Sequence, residues 1–70
     1  MQVTIQVVIN GEPREIPDGL NIAALLAHLG IAAERVAIER NRDILPRANW
    51  PVTLVQPGDS YEIVHFVGGG

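Results

Sequence analysis

Three glycines, Gly68, Gly69 and Gly70, close the sequence directly behind the stretch "EIVHFV". Glycine has no side chain to pack and loses the most backbone freedom on ordering, so such an end adds nothing to a core. It is either a frayed terminus or the part of the molecule that does the work. The remaining chemistry-bearing residues narrow the choice. There are five arginines and neither a lysine nor a cysteine. No side-chain amine is present to form a Schiff base or accept an isopeptide bond, and no thiol to act as nucleophile, metal ligand or persulfide carrier. His28 and His65 have nothing at metal-ligand spacing beside them and read as surface residues, so no metal site is expected. Asp59 and Glu62 flank a turn and read as ordinary surface acids; paired-carboxylate chemistry needs a cleft that so small a domain is not expected to provide. Arg40, Arg42 and Arg47 form a local basic cluster, read as a solvated face or a partner contact. Trp50 reads as a core or loop anchor.

Composition sets further bounds. Seventy residues make one domain. A chain this short buries only about 60% of the surface that its unfolded form exposes. A hydrophobic fraction of 47% supports a core and argues against disorder. The net charge of −3 argues against nucleic acid, whose backbone is bound through clustered positive charge. No signal-peptide layout and no apolar run of about 20 residues appears, so a soluble, cytoplasmic protein without membrane contact is expected.

The elements that must position the tail follow from periodicity. "VTIQVVIN" alternates, with Val3, Ile5, Val7 and Ile9 on one face, as in a half-buried strand. Asn10-Gly11 is a strong hairpin signal, and "EPREI" returns as a second strand that Pro13 confines to a sheet edge. "PDGLNIAALLAHLG" reads as a helix capped by Asn21, stapled by Leu20 and Leu25, buried along Ile22, Leu25, Leu26 and Leu29, and stopped by Gly30. "RVAIERN" is a third strand. Asn41-Arg42 turns the chain into a short segment with Ile44 and Leu45, and "PRANWP" is a loop or a turn of helix. Val52 and Leu54 are expected to form another short strand. "QPGD" is a turn. "SYEIVHFV" is the last strand, with Tyr61 and Ile63 inward and Val64 and Phe66 outward. The first and last strands are the most apolar and are placed side by side in the centre. The class is α+β: a mixed sheet of four to five strands packed on one main helix, residues 1–66, followed by a flexible glycine tail, residues 67–70.

This order resembles the ubiquitin-like β-grasp fold. Within it, "VAIERNRDILPRANW", the Pro57-Gly58-Asp59 turn and "EIVHFVGGG" resemble the ThiS family of sulfur carriers in thiamin thiazole synthesis. The resemblance spans essentially the whole chain. It implies a protein co-substrate rather than an enzyme. An adenylating, ThiF-like enzyme uses ATP to form an acyl-adenylate on Gly70. A sulfur donor such as a cysteine desulfurase converts it to a thiocarboxylate, and a ThiG-like thiazole synthase accepts the sulfur. No cofactor is bound by the carrier itself. Three glycines stand where two suffice, so the role passes to Gly69 and Gly70, with Gly68 as added tail. The residues suit that role: glycines fit a narrow active site, and Val67 to Gly70 span on the order of 13 Å when extended, at about 3.3 Å per residue. Without cysteine, any carried sulfur must sit on the terminus. Val64, Phe66 and Val67 are then candidates for docking the activating enzyme. The alternatives are the small subunit of molybdopterin synthase, a ubiquitin-like modifier joined to target lysines, and a plain interaction module.

Overall fold

The computed structural model describes residues 3–66. The alternating stretch at the start forms β1, Thr4–Ile9, with Val7 and Ile9 buried and Ile5 half-buried. Val3 lies ahead of the strand and is exposed, contrary to its expected place on the inner face. Asn10 and Gly11 follow at φ values of 51° and 82°. Two successive positive φ angles make a type I′ turn, whose twist matches that of the flanking strands. The chain returns antiparallel as β2, Glu12–Pro17, with Val8 opposite Pro13.

The helix α1 spans Ile22–Leu29. Asn21 caps it, its side-chain oxygen accepting from the Ala24 N–H at 2.8 Å. At the other end Gly30, at φ 74°, donates its N–H to the Ala27 carbonyl, and the Ile31 N–H donates to Leu26. These two bonds complete a Schellman motif, which requires a left-handed residue where glycine carries no steric cost. Ile22, Leu25 and Leu26 are fully buried against the sheet, and Leu20, Leu29 and Ile31 pack around them.

A 3-10 turn, Ala33–Arg35, leads into β3, Val36–Arg40, which turns through Asn41 and Arg42 into the two-residue β4, Asp43–Ile44. Both turn residues have positive φ, 51° and 74°. Asparagine tolerates this, whereas arginine bears a penalty of roughly 1–2 kcal/mol. Arg42→Gly is therefore expected to stabilise the domain by about 0.5 kcal/mol once glycine's greater unfolded-state freedom is set against the relieved strain. A rise in the urea midpoint at constant slope is the readout.

"PRANWP" becomes a second 3-10 turn, Arg47–Val52. The short strand expected at Val52 and Leu54 does not join the sheet. Val52 ends the 3-10 turn, and Leu54 makes a single bridge to Asn21, both side chains being exposed. The reason is tertiary: the chain here runs past the helix N-terminus, where the Ile22 N–H donates to the Thr53 carbonyl and the Val55 N–H to the Leu20 carbonyl. Val55 is the buried residue of this segment.

The last strand, β5, covers Ser60–His65. The sheet order is β2-β1-β5-β3-β4, with β1 and β5 parallel and the remaining pairs antiparallel. The strand that runs into the glycine sequence is thus the middle one, and Pro13 does lie on an edge strand. The core between sheet and helix contains Val7, Ile9, Ile16, Val36, Ile38, Tyr61 and Ile63, closed at one side by Trp50 and Val55.

Candidate functional site: the last strand and its supports

Everything that fixes the root of the tail acts on β5. On one side β3 pairs with it over its whole length, from Arg40 opposite Tyr61 to Val36 opposite His65. The Phe66 N–H then donates to the Arg35 carbonyl at 2.8 Å. On the other side β1 reaches only Tyr61 before it turns away. There Asn10 takes over the pairing. Its backbone N–H donates to the Tyr61 carbonyl at 2.8 Å. Its side-chain oxygen accepts from the Ile63 N–H at 2.7 Å, and its side-chain nitrogen donates to the Ile63 carbonyl at 3.3 Å. A primary amide presents the same donor and acceptor as a peptide unit, so Asn10 extends the ladder by one rung from within a turn. Asn10→Gly keeps the positive φ and deletes the clamp. It is expected to cost about 1–2 kcal/mol and to speed hydrogen exchange at the Ile63 amide.

The start of β5 is held by Asp59, and here the sequence reading needs correcting. Asp59 is not a surface acid: it is 6% exposed. The turn before it, with Pro57 at its first central position and Gly58 at φ 84°, is closed by the Asp59 N–H donating to the Gln56 carbonyl. The Asp59 carboxylate accepts from the Gln56 N–H at 2.9 Å, the Tyr61 hydroxyl at 2.8 Å, Asn41 Nδ2 at 3.2 Å and Arg40 Nε at 3.1 Å. Burial alone pushes this carboxyl up. The hydrogen bonds from Gln56, Tyr61, Asn41 and Arg40 outweigh that and hold it below the usual aspartate range. Burial, reinforced by the bond to Asp59, pushes the Tyr61 hydroxyl up to about 12. Glu62, by contrast, is exposed as expected.

The basic cluster also dissolves. Arg40 pairs with Asp59, with Nη2 at 3.0 Å. Arg47 points elsewhere, donating to the Ala33 and Val36 carbonyls at 2.8 and 3.1 Å while its guanidinium lies 4.4 Å over the Trp50 ring. Arg42 stays on its turn. Both charges are structural: the planar fork of Arg47 serves two carbonyls at once, and that of Arg40 brings two nitrogens to one oxygen of Asp59. Trp50 is an anchor, buried, with its indole N–H on the Leu45 carbonyl at 3.1 Å.

His28 and His65 are exposed, and among the described residues no three His, Asp or Glu side chains converge as metal ligands. A shallow depression lined by Gln6, Val7, Val8, Pro13, Pro57 and Gly58 offers no titratable group. Val64 on β5 and Phe66 just past its end are 56% and 62% exposed. Val67, Gly68, Gly69 and Gly70 lie outside the described residues. No helix among the described residues is long and apolar enough to cross a membrane.

A mixed five-strand sheet wrapped on one helix, with its central strand leading to a glycine sequence, defines a β-grasp domain of the ubiquitin-like class. Residues 7–70 match the model of the ThiS family, glycines included. The crystal structure of the thiamine biosynthesis protein ThiS from Geobacter metallireducens superposes with a TM-score of 0.80 at 38% identity, over 94% of this chain and 100% of that one. The sulfur carrier protein ThiS of Escherichia coli is 27% identical over 66 residues, 94% of this chain and 100% of that protein. A thiazole synthase from Paramagnetospirillum magneticum is 42% identical over 66 residues, again 94% of this chain. The chain spans about a fifth (20%) of that synthase's length. The chain belongs to the ThiS family of sulfur carriers.

Proposed function

We propose that this chain carries sulfur for thiamin thiazole formation on the carboxylate of Gly70, as a co-substrate whose catalytic groups belong to its partners. The observation that carries this reading is the family match, which runs through residue 70 and so takes in the glycines as well as the domain. A carboxylate resists nucleophiles because its charge repels them and it has no good leaving group. Transfer of AMP from ATP, with release of pyrophosphate, removes the charge and supplies the leaving group. A donor persulfide then attacks the acyl carbon and AMP departs; a thiol attacks the donor-side sulfur of the resulting acyl disulfide, so that the thiol and donor leave joined as a disulfide and the thiocarboxylate is released. The thiocarboxylate sulfur is nucleophilic enough to attack an electrophilic carbon of an acceptor.

A thiazole synthase is the acceptor that best fits, since relatives bearing that name contain a stretch similar to this chain. An adenylating enzyme and a sulfur donor complete the set. The test is the intact mass after incubation with ATP, a ThiF-like adenylating enzyme and a sulfur donor. A gain equal to one oxygen replaced by sulfur, mapped to Gly70, is expected. No gain with a partner set that loads another carrier would overturn the proposal.

A further inference from the structure

Past Tyr61 the two sides of β5 are supported unequally. On the β3 side the pairing continues to His65, and the Phe66 N–H donates to the Arg35 carbonyl. On the β1 side strand pairing ends at Tyr61. Alternate residues of a strand bond to the same neighbour, so Tyr61, Ile63 and His65 turn their peptide groups towards the β1 side. Tyr61 bonds the Asn10 backbone there, and Ile63 bonds the Asn10 side chain. Beside His65 no strand follows on that side among the described residues. Asn10 is therefore the last support on the β1 side before the glycine sequence begins. The turn alone does not call for its amide. Glycine meets a φ of 51° at no steric cost, as Gly11 meets 82°. What asparagine adds is the pair of side-chain bonds, 2.7 and 3.3 Å, to a peptide 53 residues away.

We infer that Asn10 is a positioning residue for sulfur loading: its amide, clamped on Ile63, holds the end of β5 in line, so that the tail leaves the domain in one direction. On the sulfur-carrier reading, on which this rests, the carboxylate of Gly70 must meet the reacting centre of a partner. Glycine brings no side chain by which a tail is steered, so the direction is set at the strand that the tail leaves. Four extended residues span about 13 Å, and a tilt of about 5° at their root shifts the end by about 1 Å. Misplacement on that scale costs up to about 10²-fold in rate. Asn10 touches no reacting atom in this account. It acts through the Ile63 backbone.

Kinetics separate aim from mere stability. A partly unfolded carrier lowers the concentration of usable substrate, which raises the apparent KM and leaves kcat unchanged. A carrier that docks with its tail misdirected lowers kcat and leaves KM in place. The assay is carrier-dependent exchange of pyrophosphate into ATP by a ThiF-like adenylating enzyme, the first step of loading. Asn10→Gly is expected to lower kcat about tenfold, with KM for the carrier within about twofold of native. Asn10→Asp keeps an acceptor for the Ile63 N–H and loses the donor to the Ile63 carbonyl, and is expected to fall between. Ile16→Val, a buried change on the edge strand β2 matched by thermal melts, is the control and keeps the native kcat. Hydrogen exchange gives a second readout that needs no partner. The Phe66 amide bonds Arg35 and not Asn10, yet it is expected to exchange about tenfold faster in Asn10→Gly than in Ile16→Val. Native kcat in Asn10→Gly, an equal loss of kcat in Ile16→Val, or equal Phe66 exchange in the two variants would overturn the positioning role and leave the carrier reading in place. No exchange with the native chain, by an enzyme that activates another carrier, would overturn both.

Discussion

Asp59→Ala is expected to destabilise the domain by about 3–5 kcal/mol, the usual cost of removing one partner from a buried ion pair. Folded domains are held by about 0.05–0.15 kcal/mol per residue, so this loss takes a large share of what 70 residues provide. The effect is large because one carboxylate satisfies four donors from three segments. Its loss leaves the Tyr61 hydroxyl buried with no acceptor and strips Arg40 of its counter-charge. Asp59→Asn keeps the shape and part of the hydrogen bonding, and should fall between the two. A urea titration at neutral pH separates them. Equal stability of the native and Asp59→Ala chains would show that the cluster is incidental.

The same cluster sets the pH response. The Asp59 carboxyl is held below its ordinary value in the folded chain, so its contribution is complete above the unfolded aspartate range, near pH 4. It drains away as pH falls through the lower folded value. Tyr61 acts at the other end. Its hydroxyl is raised to about 12, so its contribution is complete below about pH 10 and is lost as pH rises from there towards 12. Thermal melts across pH should show both shoulders in the native chain, and Tyr61→Phe should lose the alkaline one.

Deleting Gly69 and Gly70 is expected to abolish sulfur loading completely while leaving Tm within about 1 °C of the native chain. The first half follows if the acyl group must reach a buried centre in the partner: a chain shortened by two residues falls about 6–7 Å short. The second half follows because glycine brings no side chain to the core. Intact-mass analysis and a melt on the same sample test both halves. A truncated chain that still gains sulfur would displace the chemistry from the terminus, and one that keeps every activity would favour a plain interaction module.

Much of the fold was legible in local signals. Alternation at Ile5, Val7 and Ile9, the Asn10-Gly11 turn, the Asn21 cap and the Gly30 stop each depend on dihedral preference or short-period burial, which neighbouring residues determine. The central position of β1 and β5 followed from their apolarity, since middle strands have the least contact with water. The exposure of Val64 and Phe66 followed from a period of two once Tyr61 was set inward. Local reading failed at Val52 and Leu54, where two apolar residues suggested a strand. Whether such a segment pairs with a sheet edge depends on where the chain has been carried, and here it runs along the helix N-terminus instead.

The sequence by itself thus determined most of the elements, their order and the family to which the chain belongs. Tertiary structure alone decided the roles of the polar side chains. Asp59 looks like any turn aspartate until the fold brings Arg40 and Asn41, 19 and 18 residues away, onto its carboxylate. Asn10 looks like an ordinary turn former until β5 arrives 53 residues later and offers the Ile63 peptide to its amide. The physical reason is common to both. Backbone preference and apolar periodicity are properties of adjacent residues, whereas the pairing of a charge or an amide depends on which strand lies opposite and in what register.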